Sequence, residues 1–130
     1  MFVDASALIA IIAGELEQDS LGSRLRDEPD RLWSAMSCWE AISGLRSSYG
    51  WSMAAARDEV ETTAERFAMR LVEVGEQERT MALDAYERFG RSSGHAAKLN
   101  MGDCFAYACA KANDAKLLYK GNDFSRTDLA

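Results

Sequence analysis

Met1-Phe2-Val3-Asp4-Ala5-Ser6-Ala7-Leu8-Ile9-Ala10-Ile11-Ile12 opens the chain, and its reading decides the fold. Three apolar residues predict a short strand. The run after Asp4 is interrupted only by Ser6, and its length and alanines predict a helix where periodicity alone does not choose. The apolar stretch Ala5 to Ala13 covers nine residues, against about 20 for a membrane-spanning helix. An acid at the fourth position and no positive start do not suit a signal peptide, so the expectation is a cytoplasmic protein with no membrane contact.

Outward from that start, strands and helices alternate. Leu16, Leu21 and Leu25 mark a second helix ending near Pro29, and Arg31 to Met36 offers a second strand. Ser37 with Glu40 has the S-x-x-E spacing of a capping box, ahead of a helix towards Tyr49 and Gly50. Ser52 can cap the next helix, whose stripe Met53, Ala56, Val60, Ala64, Phe67 and Leu71 follows a helical period. Leu71 to Val74 reads as a strand and Glu76 to Phe89 as a helix. A loop at Gly90 to Gly94 follows, then a helix from Asp103 to Ala112 that is apolar on nearly every side, and a last strand at Leu117 to Tyr119. This alternation predicts an α/β, three-layer sandwich with a mainly parallel central sheet, as one domain over residues 1-130.

Composition narrows the chemistry. The 130 residues hold 48% hydrophobic and 28% charged side chains with one proline, which excludes the disordered and low-complexity classes. Three cysteines, Cys38, Cys104 and Cys109, form no CxxC pair and read as small core residues. One histidine, His95, excludes any mechanism needing two imidazoles, and its setting suggests a capping imidazole near a turn. The formal charge is −6, which disfavours a broad nonspecific nucleic-acid surface. Assigning four acids to one metal site leaves −2 for the remainder, so a phosphodiester substrate is not excluded.

Ligands of parallel α/β sheets bind beyond the carboxyl ends of the strands, and four acids fall there. Asp4 ends the first strand, Glu40 opens the helix after the second, Asp103 opens the buried helix, and Asp123 follows the last strand. Taken singly, Asp103 and Glu40 read as helix caps and Asp123 as a turn residue. Their coincidence at one edge is what a divalent cation explains, because anions converging without countercharge repel one another. Hard cations such as Mg²⁺ and Mn²⁺ favour such oxygen ligands.

The opening stretch, Ser37 with Glu40, Leu99-Asn-Met-Gly-Asp-Cys-Phe-Ala-Tyr-Ala108 and Leu117-Leu-Tyr-Lys-Gly-Asn-Asp-Phe124 together resemble a PIN domain, with the flavour of VapC-type toxins of bacterial toxin–antitoxin modules. The resemblance covers nearly the whole chain in order. It implies a metal-dependent endoribonuclease neutralised by a small VapB-type antitoxin, with any DNA contact made only through that antitoxin. Carried over, the family's acidic quartet falls on Asp4, Glu40, Asp103 and Asp123. Asp4 and Asp103 would be direct ligands of Mg²⁺ or Mn²⁺, and Glu40 and Asp123 would bind directly or through water. Ser6 matches the hydroxyl of Asp-x-Ser, while Asn122 and Thr127 are supporting candidates for ordering water or the last carboxylate. The chain departs from the family by stopping at Ala130, which puts a closing strand in doubt.

Lys98, Lys111, Lys116, Lys120 and Arg126 could hold phosphates, with solvated surface charge as the plainer reading of each. Trp33, Trp39 and Trp51 could stack bases, with core packing as the plainer reading of each. The apolar residues Leu8, Ile11, Ile12, Leu16, Leu21 and Leu25 and the stripe on Met53 to Leu71 are expected to leave part of their surface as an antitoxin groove, with a further patch for a homodimer. Two competing classes remain. A phosphoacceptor receiver module would need an acid near Tyr49 to Ala56, and none is there. A catalytically silent PIN-like adaptor would keep the fold and act through protein association.

Overall fold

The computed structural model describes residues 1–129. In chain order its elements are β1 (Phe2–Val3), α1 (Ala5–Ala13), α2 (Gln18–Asp27), β2 (Leu32–Trp33), α3 (Ala35–Tyr49), α4 (Met53–Arg66), β3 (Arg70–Leu71), α5 (Glu76–Phe89), α6 (Met101–Ala112) and β4 (Leu117–Leu118). The four strands form one sheet in the order β3-β2-β1-β4. All pairings are parallel, with Phe2 opposite both Leu32 and Leu117, and Trp33 opposite Leu71.

Side chains alternate across a strand, so each two-residue strand sends one residue to each face. Val3, Trp33 and Leu118 enter a core with Leu8, Leu25, Leu45, Val60 and Phe67 from α1 to α4 and the residue just after them. Phe2, Leu32 and Leu117 enter a second core with Ala85, Phe89, Tyr107 and Cys109 from α5 and α6. The result is helix, sheet, helix. Burying a Leu or Phe side chain contributes about 1.5–3 kcal/mol, so these layers, rather than the very short ladders, hold the sheet. Gly44 lets α3 approach α1, where a Cβ would stand 2.4 Å from Ile9 Cδ1.

The strand order places a topological switch point between β1 and β4. Successive crossovers run from β1 through β2 to β3, and the chain then returns to the far side of β1. Right-handed crossovers put helices made in the two directions on opposite faces, which accounts for α1 to α4 on one side and α5 and α6 on the other. Crevices at such switch points are where α/β sheets bind ligands.

Several boundaries differ from the sequence expectation. Ser34, not Ser37, caps α3: its Oγ accepts from the Ser37 N–H at 3.2 Å, and the helix starts almost a turn earlier than the S-x-x-E spacing implied. Glu40 therefore lies in the second turn. Helix α4 stops at Arg66, and Ala68 takes a left-handed conformation (φ 49) that turns the chain into β3 one residue early. Leu71 is consequently an exposed strand residue, outside the helical stripe. Helix α6 begins at Met101 with Asn100 as its cap, so Asp103 is its third residue.

The three tryptophans separate. Trp33 is buried and Trp51 packs half-buried on the first core, but Trp39 is exposed. The groove expectation also changes, since Leu8, Ile11, Leu21 and Leu25 of the first two helices and Ala56, Val60, Ala64 and Phe67 of the α4 region are core. Leu16 and Met53 stay exposed. Among the described residues no strand follows β4. The tail instead packs on the domain through Phe124, the Tyr107 hydroxyl donating to Asp128 at 2.7 Å, and a Lys111–Asp128 ion pair at 2.7 Å. No helix is long and apolar enough to cross a membrane among the described residues.

Candidate metal centre

Asp4 leaves β1 and caps α1. The residue is 6% exposed, and its Oδ2 accepts from the Ser6 N–H at 3.0 Å and from the Ser6 hydroxyl at 2.5 Å. The same hydroxyl accepts from the Lys120 N–H at 3.0 Å, so Ser6 ties the loop after β4 to the end of β1. Asp103 is the third residue of α6 and completes a capping box: Oδ2 accepts from the Asn100 N–H at 2.9 Å while Asn100 Oδ1 accepts from the Asp103 N–H at 2.8 Å. In both aspartates the cap bonds fall on one oxygen.

Glu40 reaches from α3 across the start of α6. A Cβ built on Gly102 would lie 1.9 Å from Glu40 Oε2 and 2.5 Å from Cδ, so the carboxylate occupies the space that a side chain at 102 would take. Asp123 lies exposed in the loop after β4, two residues beyond Gly121, whose φ of +93 makes the turn.

The electrostatics join these four. Burial pushes the Asp4 carboxyl above its ordinary range against the Ser6 hydrogen bonds, and Asp123 adds repulsion. Glu40 is pushed up to about 7, by burial first and then by Asp4 and Asp103. Asp103 is pushed up to about 6 by burial, with Asp4 and Asp123 adding to it and the Asn100 N–H and Arg91 opposing it. Asp4, Asp103 and Asp123 thus each act on at least one other of the four, and Glu40 is acted on by two of them. No lysine or arginine of the described residues pairs with any of them.

Does this donor set fit a divalent cation? It is all oxygen, with no ion-pair partner and only the more distant Arg91 to offset Asp103, and its anions repel one another, which is the chemistry that Mg²⁺ or Mn²⁺ suits. Among the described residues no three His, Cys, Asp or Glu side chains close around an ion by themselves. An ion held here by one or two carboxylates would need water and phosphate to complete its shell. The residues fit the group on those terms.

The supporting candidates divide. Ser6 is engaged with Asp4, whereas the Thr127 hydroxyl donates to the Phe124 carbonyl at 2.8 Å and accepts from the Leu129 N–H at 3.2 Å. Thr127 is thus engaged within the tail. Asn122 is exposed, and its carbonyl accepts from the Ser125 N–H at 3.1 Å. His95 Nδ1 accepts from the Ala97 N–H at 3.1 Å and its ring stands edge-on to Phe89, the turn-capping role expected of it. Of the late bases, Lys111, Lys116 and Lys120 are committed to Asp128, Glu28, and Glu15 with Glu17. Burial holds the thiols of Cys104 and Cys109 up at about 11, as inert core groups. Sequence reasoning missed Arg91, which acts on Asp103, and Gly102. A glycine inside the first turn of a helix was the available signal for the second.

Residues 1–129 match the PIN domain family. The chain belongs to that family. It is 37% identical over 139 residues to a VapC ribonuclease of Rhizobium meliloti, covering 98% of each chain. It is also 40% identical over 129 residues to Ribonuclease VapC28 of Mycobacterium tuberculosis, covering 99% of this chain and 95% of the relative. Among solved structures, the Mycobacterium tuberculosis toxin VapC20, described as cleaving the sarcin-ricin loop, superposes with a TM-score of 0.78 at 17% identity over 99% of this chain and 95% of that one. A toxin-antitoxin complex from Klebsiella pneumoniae has a chain matching with a TM-score of 0.68 at 14% identity, over 98% and 92% of the two. At those identities the two structures establish the PIN fold alone. In this PIN domain the four acids lie at the β1/β4 switch point and along the adjoining starts of α3 and α6.

Proposed function

We propose that this PIN domain is a metal-dependent endoribonuclease toxin that hydrolyses RNA phosphodiester bonds and is neutralised by a small VapB-type antitoxin. The observation that carries the reading is the set Asp4, Glu40, Asp103 and Asp123: mutually repelling carboxylates at one sheet edge with no basic partner. The relatives' ribonuclease activity supports the reaction class.

In this reading Asp4 and Asp103 offer their Oδ1 atoms to Mg²⁺ or Mn²⁺ while Oδ2 stays in the cap bonds, so both ligands are held rigid before substrate arrives. When bound, the cation would lower the pKa of a water molecule and offset charge on the departing oxygen. Glu40 and Asp123, which have no such cap bonds, reach the site directly or through water and orient the attacking water. The Ser6 hydroxyl fixes Asp4 and the Lys120 backbone together. Arg91, exposed beside Asp103, meets a flanking phosphate. Imidazole chemistry has no place in this scheme, since His95 is bound to its own loop.

For the antitoxin, an open groove of about 540 Å³ lies between α3 and α4, lined by Trp39, Ile42, Arg46, Trp51 and Met53 among others. An apolar antitoxin segment there would bring a basic side chain towards the quartet. The deciding experiment is digestion of defined RNAs by the purified chain. Cleavage in Mg²⁺, lost in EDTA and in Asp4→Asn, is the expected result. No cleavage of any RNA in Mg²⁺ or Mn²⁺, with antitoxin binding intact, leaves the silent adaptor as the correct reading.

A further inference from the structure

We infer that Trp39, with Met36 and Met101, is a stacking platform for an unpaired nucleobase of the RNA beside the scissile phosphate. This rests on the nuclease reading above, and names where that site holds its substrate.

Trp39 is 75% exposed and Met101 67% exposed, although a tryptophan buries 150–250 Å² where a core can take it. Both of the other tryptophans are taken into the first core. Trp39 precedes Glu40 directly, and Met101 precedes Gly102, over which the Glu40 carboxylate lies. The three apolar side chains and Glu40 line one open cavity of about 480 Å³, together with Ser43, Gly44 and Ser47; Trp39 also borders the groove given above to the antitoxin, so RNA and antitoxin compete for it. The cavity is thus continuous with the acidic centre through Glu40 itself, and its size suits a small aromatic ligand. An indole and two thioethers offer flat, polarizable surface to any base.

Charge explains why such a platform is needed here. A chain of net charge −6 with three of its late lysines committed to ion pairs gains little from counterion release. Four unpaired acids repel the phosphate until a cation is bound. Stacking does not depend on charge and tolerates every base, so it supplies affinity where electrostatics does not. A base inside a duplex cannot present its face to an open helix surface. The ligand is therefore a single strand or a loop. Ser43, a turn beyond Trp39 on α3, lies where its hydroxyl can meet the edge of the stacked base.

The test uses the full chain in EDTA, so that RNA stays intact, with a short fluorescein-labelled single-stranded RNA read by anisotropy. Trp39→Ala should weaken binding about five- to one-hundredfold, with the salt dependence of log K unchanged, and Trp39→Phe should retain most of the affinity. The same RNA annealed to its complement should show no dependence on Trp39. In Mg²⁺, Trp39→Ala should raise KM more than it lowers kcat. Sedimentation of wild type and variant should give the same mass. Unchanged single-strand affinity in Trp39→Ala overturns the proposal, as does no measurable binding by the wild type. A fall in mass of the variant also overturns it, because the patch is then an interface between two copies of this chain. The nuclease reading is judged separately: a wild type that binds through Trp39 but cleaves nothing in Mg²⁺ refutes the reaction and not the platform.

Discussion

Gly102→Ala should uncouple stability from catalysis in this PIN domain. The added Cβ would sit 1.9 Å from Glu40 Oε2 and 2.6 Å from Oε1, where ordinary contact begins at 3.4 Å. The nearer oxygen must therefore retreat by about 1.5 Å. It is the end of a flexible side chain, so Glu40 moves and the helix does not. The fold should survive, and alanine in α6 gains up to about 1 kcal/mol over glycine in helix propensity. A gain of that size raises the melting temperature by about 3–5 °C for a domain of this length. Misplacing a catalytic group by about 1 Å costs on the order of 10²-fold in rate. The expected result is a melting temperature equal to or above wild type, with kcat/KM for a fluorogenic RNA in Mg²⁺ lower by about 10²-fold. In a Glu40→Gln background the same change should add little, since both act through one carboxylate. Wild-type cleavage by Gly102→Ala, or an undiminished loss in the Glu40→Gln background, would refute the steric reasoning.

Three further outcomes are expected. Without metal, Glu40 at about 7 and Asp103 at about 6 lie above their unfolded values of 4.5 and 3.8, so the folded chain binds more protons and stability falls as pH rises through about 4 to 7. The fall should be about 2 kcal/mol after allowing for solvent screening; urea melts at pH 4 and pH 8 measure it, and saturating Mg²⁺ should abolish it by binding the ionised form. Ser6→Ala removes the donor to Asp4 and the acceptor of the Lys120 N–H, costing about 1–3 kcal/mol in thermal or chemical melts and lowering cleavage as Asp4 loosens. Asp103→Asn keeps an oxygen for the Asn100 N–H but loses the charge. Without metal at neutral pH it should melt at or above wild type, bind Mn²⁺ more weakly by electron paramagnetic resonance, and cleave slowly; normal cleavage would remove Asp103 from the site.

Much of the fold was legible because the decisive signals are local. Val3-Asp4-Ala5 changes from strand to helix within three residues, Ser52 caps α4 as its spacing implied, and the all-round apolar character of α6 predicted a buried helix. What escaped depends on neighbours distant in sequence. Ser34 and Ser37 are both plausible caps, and the chain's entry from β2 decides between them. The stripe from Met53 to Leu71 continues in periodicity past Phe67, but Ala68 breaks the helix so that Arg70 can pair with Leu32. Trp39 lies on a helix with apolar residues around much of its circumference. Which of them face solvent is set by the approach of α1 and α6, and only the tertiary structure supplies that. Gly102 likewise has no local reason to be glycine; its reason is Glu40, 62 positions earlier.

In the quartet, a role as a helix cap leaves room for the proposed role as a ligand. Asp4 caps α1 and Asp103 completes the box of α6, so the structural reading of each is correct as far as one oxygen is concerned. A carboxylate has two oxygens. Placing one in backbone N–H bonds fixes the plane of the group and stabilises its charged form, while burial and the neighbouring acids raise the cost of that charge. The caps therefore restrain the anions against repulsion that a cation would relieve, and they orient the free oxygens before the cation arrives. Glu40 has no cap bond and is held instead by the space above Gly102. On the proposed reading, that division would give rigid coordination to the two capped aspartates and adjustable contact with water and substrate to Glu40 and Asp123.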